Sequence, residues 1–372
     1  MYKITRFSGV DGLLELKFYW EALLKTCRYQ AFFNTWRWHY SLAKYLLNSP
    51  VNYFLILKDA KPVAIFPLQI VSVEKGGRQW QGYSLPRHKH IDLTDVLICD
   101  DVDSHGVLDF FVDFLRNQSG DRWSLLSLTK FRQRSNLYAA ISQDASYPVE
   151  AYARSFYQPC GMELQSSEAV SRKHLKNVSR LQRKAEAEHG KVQLKVVTKE
   201  SELQEAFEHF LSIEASGWKG ESGIGSSINS NPGVEAFYRS LINEFGPTGN
   251  AAINFLLLGE KYVASQFCIK ADGKWSLLKI GYDERYQAFG PGNILLKLLL
   301  ESLDESAEKC EINLVTGPSW AERWRFFSEP VYCTEIYNKT PTARLLVALL
   351  WGRLVWRKHG KRAVASLKGK IK

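Results

Sequence analysis

The residues best suited by type and spacing to do chemistry are Gly290, Pro291 and Gly292. They follow a segment of strand character, Trp275 to Tyr282, and open a leucine-rich stretch of helical character. Two glycines let the backbone turn sharply and approach a ligand with no Cβ in the way. Pro291 suits the first helical turn, where its missing N–H costs nothing. The N–H groups of that turn, with the positive end of the helix dipole, form a cradle for a phosphate or pyrophosphate. A plain Gly-Pro helix entry is the alternative reading. A dinucleotide fingerprint would need a third glycine, but Asn293 runs directly into Ile294 and Leu295. A Walker loop would need Gly-Lys-Ser/Thr, which is absent.

The elements that must position this loop recur in the chain. Asn52 to Gln69 reads as two strands about a tight turn at Asp59-Ala60, and Ile253 to Ile269 has the same form about Gly259-Glu260. A helical region precedes each hairpin, and a further strand and helix follow it. At 372 residues the chain exceeds one ordinary core. The expectation is a duplicated α/β domain, 1–165 and 166–340, with a C-terminal tail at 341–372. Between Leu97 and Leu108 the first copy carries Asp100, Asp101 and Asp103 and a single glycine, a poor place for pyrophosphate. One cofactor site is therefore expected, in the second copy, with the first copy shaping the substrate cleft.

Charge narrows the function. The net charge is +10, but residues 341–372 contain no acid and nine Lys or Arg, which leaves +1 for the rest. A broadly basic nucleic-acid-binding body is not expected. The helix from Ser171 to Gly190 puts Leu175, Val178, Leu181 and Ala185 on one face. Arg172, Lys173, Lys176, Arg180, Arg183 and Lys184 cover the others. It reads either as a solvated linker or as a positive wall for an anionic ligand. Six scattered cysteines without a CxxC, and histidines without metal spacing, point to reduced thiols, a cytoplasmic body and no metal. No leader or membrane span is read from the sequence. In the tail, Leu345, Leu346, Val347, Leu349, Leu350 and Trp356 form a broad apolar helical surface with Arg344, Arg353 and Arg357 at its margins. That pattern suits a helix lying on an anionic membrane surface, peripheral to the inner face; the alternative is a helix docked on the protein's own core.

Gln287-Ala288-Phe289-Gly290-Pro291-Gly292 resembles the Gln/Arg-x-x-Gly-x-Gly/Ala loop with which N-acyltransferases of the GNAT superfamily hold the pyrophosphate of acyl-CoA. Ile213-Glu-Ala-Ser-Gly-Trp-Lys-Gly220, Phe237-Tyr238 and Gly281-Tyr-Asp283 precede it in the order of the FemAB-like and CelD-like branch. The resemblance covers roughly residues 170 to 330. Two departures are Gly223-Ile-Gly-Ser in place of Gly-Thr-Ala, and Glu322-Arg323 in place of a Tyr-Lys pair.

The resemblance implies tandem GNAT-like domains, each a mixed sheet flanked by helices, around a shared central cleft. It implies transfer of an acyl group from acyl-CoA to an amine-bearing small molecule or amino sugar, in exopolysaccharide or cell-envelope synthesis. The loop from Gln287 to Asn293 would hold the pyrophosphate, and backbone at Leu278 and Ile280 would pair with the pantetheine arm. Such a reaction needs a base, for which Glu214 is the first candidate and a surface carboxylate its bland reading. Lys219 would bind an acidic group or stabilise charge, and Asp283 would orient the amine or cap a turn. Trp218, Tyr282 and Arg323 are placed around the substrate. Asp92, in the cluster His88-Lys89-His90-Ile-Asp92, would line the cleft from the first copy or cap a turn. The rival classes are an aminoacyl-tRNA-dependent FemAB-type transferase and a non-catalytic binding protein on the same fold.

Overall fold

The computed structural model describes residues 1–117, 119–143, 146–161, 170–216, 227–306 and 309–352. Each half starts with a strand and a helix, β1 (Tyr2–Ser8) with α1 (Gly9–Leu24), and β8 (Val192–Val197) with α6 (Glu200–Ala215). A second helix follows, α2 (Trp36–Ser41) in the first half and α7 (Pro232–Phe245) in the second. Then come the hairpins, β2 (Val51–Lys58) with β3 (Lys61–Lys75), and β9 (Ala251–Leu258) with β10 (Lys261–Ala271). Their turns fall at residues 59–60 and 259–260, where the sequence pattern put them.

A third meander strand, β4 (Arg78–Ser84) or β11 (Lys274–Tyr282), leads to a crossover helix, α3 (Ser104–Asn117) or α8 (Pro291–Glu305). In the first half a two-residue strand, β5 (Leu97–Ile98), intervenes and pairs with β3. The crossover delivers a parallel strand, β6 (Leu125–Arg132) against β4 and β12 (Cys310–Asn313) against β11. A helical link is what a parallel neighbour requires.

The architecture is mixed α/β as expected, but the two sheets are joined into one of 13 strands. Its order is β1-β2-β3-β4-β6-β13-β7-β12-β11-β10-β9-β8, with β5 beside β3. The join is an exchange. After α4 (Asn136–Ile141), β7 (Glu150–Cys160) crosses to pair with β12 of the second half, and β13 (Phe327–Tyr337) returns to pair with β6 of the first. A continuous core seals the seam, where Phe32, Phe33 and Trp38 of the first half pack with Phe207, Phe237 and Phe267 of the second.

Charges pin the same seam. Arg134 makes paired hydrogen bonds to Glu311 and to Glu329, at 2.9 to 3.2 Å. Arg132, 2% exposed, lies 2.9 Å from Glu329. Burial lowers its pKa to about 10, against the pull of Glu329.

The expected apolar surface of the tail is only partly free. Residues 341–352 are helical, and Ala343 and Leu346 are fully buried, with Leu346 packed on Trp80 and Leu125. Leu349 and Leu350 join that contact, so this stripe docks on the first half rather than facing outward. Leu345 and Trp351 remain 47% and 70% exposed. Trp356 and the basic residues after 352 lie outside the described residues. No helix among the described residues is long and apolar enough to cross a membrane.

Candidate functional site

The site begins where β11 parts from β12. The two strands pair only from Lys274 to Ser276 against Glu311 to Asn313. Beyond Asn313 the chain turns to β7, with Leu314 N–H donating to Phe156 O and Val315 in the left-handed region at φ +63°. The remainder of β11 borders a cavity of about 530 Å³. Ile280, Gly281 and Tyr282 line one side, and Gly290, Pro291, Gly292 and Asn293 line the end at the start of α8.

Gly290 sits at the N-cap in the left-handed conformation, φ +63° and ψ 52°, and offers no side chain to cap the helix. Pro291 takes the first helical position. Asn293 and Ile294 N–H groups close back on Gly290 O at 3.0 and 3.2 Å. A Cβ added to Gly292 would meet nothing within 4 Å, so this wall of the cavity is open to an approaching group. Beside it runs α5 (Arg172–His189), whose Leu181 packs on Gly290. Arg172, Lys173, Lys176, Arg180, Arg183 and Lys184 on α5 are all exposed.

Glu214, in the last turn of α6, lines the cavity and is 4% exposed. Its Oε2 accepts from Ile228 N–H at 2.9 Å. Its position depends on Gly281, because a Cβ there would lie 2.9 Å from Glu214 Cα. A glycine in β11 thus lets α6 lie directly against the strand. From β10, Ser265 and Gln266 also reach the cavity wall. Ser265 Oγ is buried with no hydrogen-bond partner among the described residues.

Tyr282, Gln287 and the 290–293 turn thus converge with Glu214 and Ile280 on one cavity. Five other expected participants do not line it. Asp283 is engaged as a cap, accepting from Arg285 N–H at 3.0 Å and from the Arg285 guanidinium at 2.6 to 3.0 Å. Those bonds hold its pKa below the usual carboxylate range, and it faces a separate surface pocket with His209 and Tyr262. The Phe289 ring belongs to the core under α5, edge-on to His189 at 5.1 Å. Arg323 is exposed in the turn Ser319–Trp324, near His174 and outside the cavity lining. Ala288 is exposed and Leu278 half-buried, and neither side chain lines the cavity. Trp218 and Lys219 lie outside the described residues.

The sequence reading missed Ser265, Gln266, Glu284 and Trp320. A polar pair inside the apolar run Val263 to Ile269 was the available signal for the first two. Trp320, on the turn after β12, carried none.

Asp92 stands in a second polar group across the seam. His88 and His90 stack at 5.4 Å, and His90 Nδ1 lies 3.2 Å from the hydroxyl of Tyr238 on α7. Tyr238 is fully buried, which pushes its phenol well above its usual range, and it feels the charges of both Asp92 and Glu214.

Among the described residues, the corresponding gap in the first half is filled. Its β4 and β6 also part after three residue pairs, at Ser84 and Ser127. There the chain's own segment fills the gap, with Leu85 N–H on Ser127 O and Thr94 N–H on Lys130 O.

Residues 172–324 match the profile of the acetyltransferase (GNAT) domain family. That segment is similar to a GNAT domain, and the fold of the chain is similar to that of FemX. The crystal structure of FemX aligns with a TM-score of 0.57 at 8% identity, covering 88% of this chain and 97% of FemX. The C-terminal domain of a putative lysylphosphatidylglycerol synthetase from Agrobacterium fabrum gives 0.54 at 11% identity, covering 91% and 96%. L-PGS from Bacillus licheniformis gives 0.52 at 15% identity, covering 88% and 94%. No curated protein sequence matches the chain. The matched GNAT segment begins at α5 and ends in the turn holding Trp320, so it spans every residue that lines the 530 Å³ cavity.

Proposed function

We propose that the chain is an N-acyltransferase that moves an acyl group from acyl-CoA to the amine of a small molecule, an amino sugar being what the family resemblance implies. The observation that carries this reading is the open start of α8, at the end of a cavity that runs along β11 to the buried Glu214. The Gly292 N–H and the positive end of the α8 dipole would hold the pyrophosphate, and exposed cations of α5 stand alongside. The gap between β11 and β12 would admit the pantetheine arm, with the backbone of Leu278 and Ile280 beside it.

Glu214 would take the proton of the attacking amine as nitrogen bonds to the thioester carbon and the carbon–sulfur bond breaks, releasing the CoA thiolate. Its hydrogen bond from Ile228 N–H fixes the carboxylate at the cavity wall. Peripheral contact with an anionic membrane would use the exposed side of the C-terminal helix, Arg344, Leu345 and Trp351, with the basic residues that follow.

The test is release of free thiol from acetyl-CoA in the presence of a panel of amines. Amine-dependent thiol release supports the reading. Absence of release, with acyl transfer from aminoacyl-tRNA instead, would move the protein to the rival FemAB-type class. Binding of CoA with no transfer to any amine would favour a non-catalytic binding protein.

A further inference from the structure

Past Ser276, β11 no longer pairs with β12, and the cavity follows the strand at this edge of the ladder. Successive residues there face opposite sides of the sheet. Gly281 faces α6, where an added Cβ would lie 2.9 Å from Glu214 Cα. Its partner in the β10–β11 register is Ser265, which shares that face. The next pair, Gln266 with Ile280, therefore faces α8. The core agrees. Cys268 packs in the cluster of Leu295 and Leu296 on α8, and Phe267 packs in the cluster of Phe207 and Phe210 on α6. Gln266 and Glu214 thus line one cavity from the two faces of the sheet, at levels of β11 about 3.3 Å apart.

The amide of Gln266 is held from behind. Asn254, its register partner on β9, donates from Nδ2 to Gln266 Oε1 at 3.4 Å. With Oε1 so held, Nε2 is the end of the amide left to the cavity. It makes no hydrogen bond among the described residues and, unlike Ser265 Oγ, it is not sealed from solvent. An amide N–H in that position calls for an acceptor oxygen on the ligand. The level of the strand says which oxygen. The amine that gives its proton to Glu214 bonds to the thioester carbon, so that carbon must lie beside Glu214. The two amides of the pantetheine arm fall further back, toward the start of α8.

We propose that Gln266 is a further catalytic residue, whose Nε2–H donates to the thioester carbonyl oxygen of acyl-CoA. This rests on the acyl-transfer reading above. As the amine nitrogen bonds to the carbonyl carbon, the oxygen takes up negative charge, and the Gln266 N–H holds it. The carbonyl re-forms as the carbon–sulfur bond breaks and the thiolate leaves with that electron pair. A donor fixed before the reaction contributes most where this charge develops, in the transition state.

The experiment compares the full chain with Gln266→Met, which keeps the length of the side chain and removes both N–H donors. Thiol release from acetyl-CoA with the panel of amines should show kcat lowered by about 10²- to 10³-fold. Calorimetry with CoA, which has no thioester carbonyl, should show an unchanged Kd. Infrared difference spectra of isotope-labelled acetyl-CoA, without amine, should place the thioester carbonyl stretch lower in the unaltered protein than in the variant. Thermal melts check the fold, and Gln266→Leu takes the place of Gln266→Met if the latter does not fold. An active chain whose kcat and carbonyl stretch are indifferent to the substitution would overturn the proposal alone. So would a loss of CoA affinity as large as the loss of turnover, which would make Gln266 a contact of the pantetheine arm. An unaltered chain that neither binds CoA nor releases thiol would overturn the acyl-transfer reading itself, and the proposal with it.

Discussion

Gly292→Ala should make the protein slightly more stable and a markedly poorer binder of CoA. The added methyl enters a helical position with no neighbour within 4 Å, and Gly292 is not in the left-handed region. Glycine within a helix costs about 0.5–1 kcal/mol relative to alanine, so in a chain of 372 residues the substitution should raise Tm by roughly 1 °C. With a ligand present the same space is contested. A methyl that keeps a phosphate oxygen from its backbone donors removes charge-assisted bonds worth about 1.5–3 kcal/mol each. Loss of one such bond corresponds to roughly a 10- to 150-fold rise in Kd. Gly290→Ala serves as the contrast, since its φ of +63° should cost an alanine about 1–2 kcal/mol and lower Tm. Its Cβ would meet Leu181 Cδ1 at 3.5 Å, an ordinary contact, so the strain is in the backbone. Differential scanning fluorimetry and CoA calorimetry on both variants give the answer. Unchanged CoA affinity in a stabilised Gly292→Ala would refute the cradle, and a fall in Tm would refute the open-space geometry.

Glu214→Gln should keep the bond from Ile228 N–H and lower kcat by about 10²- to 10⁴-fold with little change in KM, measured by steady-state thiol release. Glu329→Ala leaves Arg132 buried without its carboxylate and should cost about 3–5 kcal/mol in urea melts; a loss under 1 kcal/mol would show that the seam network is not what holds the halves. Cutting the chain after Gly352 removes eight basic residues while keeping the docked Ala343 and Leu346, and should abolish flotation with anionic vesicles at unchanged Tm. Equal flotation of the two forms would exclude the residues after 352 as the membrane contact.

Local rules made part of this structure legible. The Gly290-Pro291-Gly292 helix start follows from backbone geometry within a few residues, and the two hairpins follow from apolar runs about short turns. The exchange of β7 and β13 was not legible, because pairings such as Val331 with Arg132 join segments about 200 residues apart. Nor was the role of Gly281, which appears only when α6 is laid on β11. Asp283 had two local readings, and Arg285, two residues on, gave it to the cap. In the C-terminal helix apolar side chains occur on several faces, so sequence could not choose the stripe that docks; the groove beside Trp80 does.

The most direct test of the account is the stoichiometry of CoA binding to the full chain, measured by calorimetry. One site per chain is predicted, because the α8 cradle is open while the corresponding gap in the first half is filled by Leu85 to Thr94. A stoichiometry of two, or no binding at all, would contradict it.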